Sequence, residues 1–442
     1  MNASSVSARA QEAPRGSRAS DSLALRLAAL KAFTTARWRA RTLRTRADIA
    51  RFQTGRLAEL TGHASSRFGY YRPFRDRSFE DWPVVDKAVV TEHFDQMNVF
   101  GIPASQVRAM LAAGQERGDG FVVGQSTGTS GNRGYYVISD RERFVWLGTI
   151  LAKTLPDALW RQHRVALALP GLSSLYRSAG AGSRIQLGFF DLALGVDAWA
   201  NQLDRFAPDT LVAPPKVLRL LAERGRLHAQ NIFSGAEVLD PLDRAAIEQA
   251  TGRRVREIYM ATEGLFGVSC RHGTLHLAED VVHFGWEPPL VGSRLSAPIV
   301  TDFTRRSQAL IRYRMNDLME LDPAPCACGS PLQAVRQIAG RADDILMLET
   351  PHAREVMITP DVFRNAIVDA HPGVRDFRVT QTGPSSLEIC LEANASMDME
   401  AAVRAKLAER LAPFGVAPGI TVRRGLSVPF DHKLRRVRRA AS

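Results

Sequence analysis

Ser126, Thr127, Gly128, Thr129, Ser130 and Gly131 follow one another in the stretch GQSTGTSGNRGYYVIS, residues 124–139, with Arg133 and Gly134 just beyond. Nothing in that run packs a core. Glycines let backbone N–H groups approach an anion and hydroxyls add donors, so the run has the chemistry of a phosphate cradle. It has equally the composition of an exposed loop. It is not a Walker-type loop, because no lysine follows Gly131 or Gly134, and its glycine spacing is not that of a dinucleotide fingerprint. Five further places carry polar groups in tight clusters. They are Gly235, Ala236 and Glu237 in SGAEVLDPLDR, and Tyr259, Thr262 and Glu263 in IYMATEG. Arg312, Tyr313, Arg314 and Asp317 fall in LIRYRMNDL, Gly340, Arg341, Asp343 and Asp344 in GRADDILML, and Lys433 in DHKLRRV. Each alone has a plain structural explanation as a loop carboxylate, a cap or a solvated cation.

A second kind of chemistry resides in the cysteines. The chain has only four, Cys270, Cys326, Cys328 and Cys390. That is too few for a disulfide framework and suits a reducing cytoplasm. Cys270 and His276 lie close in sequence, and Cys326 and Cys328 form a Cys-x-Cys pair between prolines. Three thiolates and an imidazole make a closed tetrahedral Zn²⁺ site, with His272 as a competing fourth ligand. The alternative is a set of reduced, half-buried thiols.

These groups need a scaffold. From about residue 140, short apolar runs alternate with helical patterns. The runs are RVALALP (164–170), RIQLGFFDL (184–192), TLVAP (210–214), NIFSG (231–235) and VREIYM (255–260). Such alternation predicts an α/β fold, a mostly parallel sheet with helices on both faces and ligands beyond the strand ends. In PLDRAAIEQATG, Asp240 is placed to cap a helix, Pro241 to open it and Gly252 to end it. GYYRPFRD, around Pro73, reads as loop. After Arg341 the pattern becomes a helix near 360–370, a hairpin in FRVTQTGPSSLEICLEA, a helix in DMEAAVRAKLAERLAPFG and a strand ITVRRG, a small α+β unit. We therefore expect a disordered tail over 1–21, a large domain over 22–340 and a small mobile domain over 341–442.

Length and charge bound the function. The 442 residues exceed one compact core, and no apolar run reaches a membrane span. The net charge of +12 attracts anionic ligands. The basic runs, Arg37–Arg46 and HKLRRVRR, lack interleaved aromatics, which argues against a nucleic-acid groove. Residues 22–47 have apolar positions at helical spacing with cations opposite, and packing on the large domain is expected of them in preference to membrane association.

Taken in order, the hydroxyl-rich loop, the Glu237 loop, Y-x-x-TEG, RYR-x-x-D, GR-x-DD and the late lysine resemble the motif series of the adenylate-forming (AMP-dependent) synthetase and ligase superfamily, over residues 124–433. LIRYRMNDL and GRADD resemble its phenylacetate–CoA ligase branch. STGTSGNRG, VTDFTRR and HGTLHLAED look closer still to the adenylate-forming enzymes of aryl-polyene and xanthomonadin-type pigment clusters. After GRADDILML the sequence departs from the branch, reading ETPHAREVMITP.

The resemblance implies ATP-dependent activation of a carboxylic acid, an aryl acid such as a hydroxybenzoate, to an acyl-adenylate. Transfer to a thiol, coenzyme A or carrier-protein phosphopantetheine, follows. A carboxylate must attack the α-phosphate, so the site must neutralise phosphate charge and hold the reactants in line. On this reading residues 126–134 grip the β- and γ-phosphates and Glu263 holds Mg²⁺. Thr262 lies towards the α-phosphate, and Asp317, with Arg341, takes the ribose. Tyr259 and Gly235–Glu237 flank the adenine. Lys433 meets the transition state, and Asp343 is the hinge about which the small domain turns. An acyl carrier protein is an admissible partner. Two other functions compete: adenylation with transfer to a non-thiol acceptor, and a non-catalytic basic protein that binds a nucleotide or nucleic acid.

Overall fold

A computed structural model describes residues 19–125, 134–169, 184–290, 293–426 and 435–440. The described residues start with two long helices, α1 (Ala19–Thr42) and α2 (Arg46–Arg67), the second opened by a capping box between Thr45 and Asp48. GYYRPF (69–74), expected as loop, winds into a 3₁₀-helix around Pro73 and buries Tyr71. Two short helices follow, α3 (Lys87–Glu92) and α4 (Ala104–Ala112). A hairpin of β1 (Phe121–Gln125) and β2 (Tyr135–Ser139) then leads into α5 (Asp140–Thr154).

The central sheet begins with β3 (His163–Leu169) and β4 (Ile185–Asp191). Helix α6 (Val196–Phe206), β5 (Thr210–Ala213), α7 (Pro215–Glu223) and β6 (Asn231–Ser234) come next. Helix α8 (Pro241–Thr251) has the anticipated punctuation: the Asp240 carboxylate accepts the Leu242 N–H, Pro241 occupies the first turn, and Gly252 closes it with φ +65°. Beyond it lie β7 (Val255–Ala261), β8 (Gly264–Ser269), β9 (Leu275–Leu277), β10 (Val282–Trp286), β11 (Pro298–Asp302), β12 (Tyr313–Arg314), β13 (Asp317–Asp322) and β14 (Ala334–Arg341).

Nine of these strands form one sheet in the order β13-β14-β9-β8-β7-β6-β5-β3-β4. From β4 to β7 every neighbour is parallel; from β7 to β13 every neighbour is antiparallel. The two halves meet at the tight β7–β8 hairpin, where Ala261 stands opposite Gly264 and Thr262 and Glu263 form the turn. The turn lies beyond the carboxyl end of β7, the last strand of the parallel half, and the carboxyl ends of parallel strands are where open α/β sheets collect ligands.

Two cores cover this sheet. One, around Ala166, Trp199, Leu218 and Ile232, packs helices on the parallel half. The other joins α2, Tyr71, Trp82, Phe94 and Met97 to Phe266, Val300 and Tyr313. As expected of residues 22–47, α1 packs through Phe33 and Ala36 against Ala152 and Leu155 of α5 and its end. No helix among the described residues is long and apolar enough to cross a membrane.

After β14 come β15 (Leu346–Glu349), β16 (Glu355–Ile358), α9 (Pro360–Ala370), β17 (Phe377–Gly383), β18 (Ser386–Leu391), α10 (Met397–Leu411), β19 (Gly419–Arg424) and β20 (Val437–Arg439). Four of them form a sheet in the order β19-β18-β17-β20. This carboxy-terminal unit has its own core, from Leu346 through Phe363, Phe377 and Leu407 to Val437.

Candidate active site

The β7–β8 turn presents Glu263. The Thr262 hydroxyl donates to its Oε2 at 2.9 Å, and the Tyr313 hydroxyl donates to Oε1 at 3.3 Å. Both oxygens are thus oriented, and the carboxylate lines a cavity with Lys87, Thr91, Tyr135 and Arg305. Burial pushes the Tyr313 hydroxyl well above the ordinary phenol range, and Glu263 adds to the shift, so it stays a donor. The cavity also reaches Gly134, the described end of the hydroxyl-rich loop. Because Gln125 pairs with Tyr135, that loop leaves from the end of the β1–β2 hairpin. Ser126, Thr127, Gly128, Thr129, Ser130 and Gly131 themselves lie outside the described residues, as does Lys433.

Lys87 was not singled out from the sequence. Asp86 caps α3, accepting the Ala88 and Val89 N–H groups, and so starts the helix at Lys87. Burial holds the ammonium below the ordinary lysine range; Glu263 and Asp343 act against that shift and Arg341 adds to it. A Cβ on Gly134 would come within 3.0 Å of Lys87 Cε, so glycine lets the loop meet the lysine closely. The sequence signal was slight: an N-cap aspartate followed by a lysine in VVDKAVV.

Asp317 and Arg341 are brought together at the adjoining strand ends. They are register partners on β13 and β14, with Arg341 Nε 3.6 Å from Asp317 Oδ1. The Tyr259 hydroxyl donates to Asp317 Oδ2 at 2.7 Å. Burial, then Asp317, pushes that phenol well above its ordinary range. In this structure the Tyr259 hydroxyl therefore orients Asp317. Asp343 lies in the 3₁₀ turn Ala342–Asp344 after β14 and accepts from Asn316 Nδ2 at 2.6 Å.

Gly235, Ala236 and Glu237 follow β6. Ala236 adopts φ +67°, the left-handed region that costs a side-chain-bearing residue energy, and Glu237 is 3.6 Å from Lys216. Of the aromatics that could line an acid pocket, Tyr135 faces the Glu263 cavity, Phe190 belongs to the core and Tyr176 lies outside the described residues.

Cys270, His276, Cys326 and Cys328 converge elsewhere, with all their ligand atoms within 4.8 Å of one another. Cys270 Sγ is 3.8 Å from Cys326 Sγ, and Cys328 Sγ is 3.4 Å from His276 Nε2. Tetrahedral zinc with Zn–S bonds of about 2.3 Å has ligand–ligand edges of roughly that size. His276 Nδ1 lies 2.9 Å from the Leu332 carbonyl. Donation there fixes the tautomer with Nε2 turned to the thiols, the usual outer support of a metal-binding imidazole. His272 instead meets Arg271, whose Nε lies 3.1 Å from its Nε2. The donor set fits zinc, and it would tie the turn before β9 to the segment between β13 and β14.

No family model matches the sequence. A phenylacetate-coenzyme A ligase of Thermus thermophilus is 24% identical over 353 residues, spanning 69% of this chain and 72% of that protein. Among solved structures, 2-hydroxyisobutyryl-CoA ligase in its postadenylation state with 2-HIB-AMP has a TM-score of 0.63 at 21% identity, covering 87% of this chain and 88% of that one. An open conformation of the same ligase with 2-HIB-AMP and CoA has a TM-score of 0.54 at 20% identity, with 88% and 90% covered. The chain thus shares the fold of this CoA ligase and is similar in sequence, over about two thirds of its length, to a phenylacetate-coenzyme A ligase.

Proposed function

We propose that this protein uses ATP to convert a carboxylic acid to its acyl-adenylate and then passes the acyl group to a thiol. The observation that carries the reading is the convergence of Glu263, Lys87 and Gly134 on one cavity, with the Asp317–Arg341 pair at the neighbouring strand ends. An oxygen of the acid attacks the α-phosphorus, the bond to the bridging oxygen breaks, and pyrophosphate leaves. Lys87 supplies positive charge beside the loop that takes the phosphates. Asp317 accepts from the ribose hydroxyls, held by Tyr259 and Arg341. Glu263, with its hard carboxylate oxygens and the Thr262 hydroxyl beside it, is the group that would hold Mg²⁺, whose chemistry is to screen the phosphate oxygens. Thr262 lies towards the α-phosphate, the Gly235–Glu237 turn borders the adenine, and Lys433 brings a cation from the carboxy-terminal unit. In the second step the thiol sulfur attacks the adenylate carbonyl, its proton is lost, and AMP departs.

The acid we assign is an aryl acid of the hydroxybenzoate kind. This rests on STGTSGNRG, VTDFTRR and HGTLHLAED, and on Tyr135 facing the cavity. The thiol is that of coenzyme A or of a carrier-bound phosphopantetheine; a +12 chain suits either anionic acceptor. Zn²⁺ in the Cys270, His276, Cys326 and Cys328 cluster is structural. Acid-dependent ATP–pyrophosphate exchange, run across benzoates, hydroxybenzoates, phenylacetate and fatty acids, tests the reading. Exchange with an aryl acid that is lost in Glu263→Gln supports it. Nucleotide binding without exchange for any acid would sink it in favour of a basic nucleotide-binding protein.

A further inference from the structure

The carboxy-terminal unit meets the rest of the molecule through a buried cluster of charges. At its centre is Arg436, just before β20. Its Nη1 is 2.9 Å from Asp243 Oδ2 and 3.6 Å from Asp240 Oδ2, both at the start of α8 in the large part of the chain. Its Nε and Nη2 are each 3.0 Å from Asp376 Oδ1, within the carboxy-terminal unit itself. The two α8 carboxylates are nearly enclosed, with side chains 5% and 4% exposed, and Arg436 is 11% exposed. The backbone of Arg436 is fixed as well, since its carbonyl accepts the Val379 N–H.

Secondary contacts surround this centre. Arg219 of α7 donates to Asp243 at 3.0 Å and to the Arg375 carbonyl at 2.7 Å, so it too spans both parts. Arg364 of α9 donates to Gln337 of β14 at 2.8 Å. Leu242, between the two aspartates, packs on the carboxy-terminal core.

An ionic contact of this kind differs from an apolar one in a way that matters for a moving unit. Burying paired charges costs desolvation that their attraction roughly repays, so the docked state gains little net free energy over a separated, hydrated one. Orientation is nevertheless strict, because a misdocked unit leaves Asp240 without a cation and Asp243 with Arg219 alone. The contact is therefore selective and reversible together. Its location ties it to the chemistry. Asp240 is three residues after Glu237 of the turn assigned to the adenine, and Arg436 is three residues after Lys433.

We propose that Arg436, gripped by Asp240 and Asp243, is a positioning residue that docks the carboxy-terminal unit in the adenylate-forming orientation and sets the balance between the two half-reactions. This rests on the acid–thiol ligase reading above. Arg436 touches no reacting atom in this scheme; it acts by registering one part of the chain against the other.

The test uses the full-length protein with Arg436→Gln, Asp243→Asn and Asp376→Asn. Two half-reactions are followed separately: acid-dependent ATP–pyrophosphate exchange, and thioester formation from supplied acyl-adenylate and coenzyme A. Small-angle X-ray scattering reports the arrangement of the two parts without reference to activity. Arg436→Gln and Asp243→Asn should lower exchange about tenfold while leaving thioester formation unchanged or faster, and should broaden the scattering distance distribution. Asp376→Asn, which removes a partner from the same unit, should shift the ratio far less. A parallel fall in both half-reactions, an equal effect of Asp376→Asn, or unchanged scattering would overturn the proposal. Should the wild type catalyse no exchange, the enzymatic reading fails, and the scattering comparison still decides whether Arg436 holds the two parts together.

Discussion

Tyr259 and Asp317 are joined by a 2.7 Å hydrogen bond between strands that are not neighbours in the sheet: one ends the parallel half, the other is its outermost antiparallel strand. The bond takes one oxygen of Asp317 while Arg341 approaches the other. If Asp317 receives the ribose, the phenol fixes its rotamer without competing for substrate charge. Tyr259→Phe should then raise KM for ATP by about tenfold with little change in kcat, the worth of one hydrogen bond to a charged acceptor. Asp317→Asn should cost more, about a hundredfold in kcat/KM for ATP. Steady-state kinetics at saturating acid would check both. Equal kinetics of wild type and Asp317→Asn would remove Asp317 from the nucleotide site.

Lys87 gives a sharper test, because its sequence surroundings offer only an N-cap aspartate before it and no functional motif. Its ammonium faces Glu263 and the end of the hydroxyl-rich loop. Lys87→Ala should lower exchange by about a hundredfold or more, as loss of one preorganised group at developing charge does. Lys87→Arg should restore part of it. The melting temperature should barely move, since Lys87 lies in a short helix on the cavity wall. A variant with full exchange activity would show that the cavity cation is dispensable.

Lys87 also marks the limit of what the sequence displays. The strand–helix alternation, the cap and stop of α8 and the small α+β unit were legible because their signals are local: periodicity, Asp240, Pro241, Gly252. The Thr262–Glu263 turn was legible as a motif, but its place at the meeting of parallel and antiparallel halves depends on β7 pairing in parallel with β6, across the intervening helix α8, and antiparallel with β8. The 3₁₀ turn at Gly69–Phe74 was missed because burial of Tyr71 against the Ile311 carbonyl, not local propensity, settles it. Lys87, Tyr259 to Asp317 and Arg436 to Asp243 are long-range contacts of single side chains. No spacing rule reports them.

The cysteine cluster predicts a metal content. Protein purified without chelator should hold about one zinc per chain, released by denaturant and a colorimetric chelator. Cys326→Ser and His276→Ala should each abolish binding and lower the melting temperature by several degrees, because the turn before β9 would lose its tie to the segment before β14. Acid-dependent exchange at low temperature should change little, since the cluster is separate from the Glu263 cavity. A metal-free wild type of undiminished stability would leave four reduced side chains and no zinc site.

Asp302 supplies a prediction in pH. It ends β11, fully enclosed beneath the β7–β8 turn, and a Cβ on Gly264 would sit 2.8 Å from its Oδ2. Burial raises its pKa to about 6, although the Thr304 hydroxyl and N–H both donate to Oδ1 at 2.6 Å. The folded value lies above the unfolded one, so between about pH 4 and pH 6 the folded state holds a proton that the unfolded state has lost. Stability should fall as pH rises through that window, by about 3 kcal/mol from this group alone. Asp302→Asn keeps an oxygen for Thr304 and removes the charge. Denaturant titrations at intervals from pH 4 to pH 7 should show the variant gaining on wild type as pH rises and holding its advantage above pH 6. If the difference between the two proteins is flat across that range, Asp302 titrates no differently folded than unfolded, and the turn that presents Glu263 rests on an ordinary carboxylate.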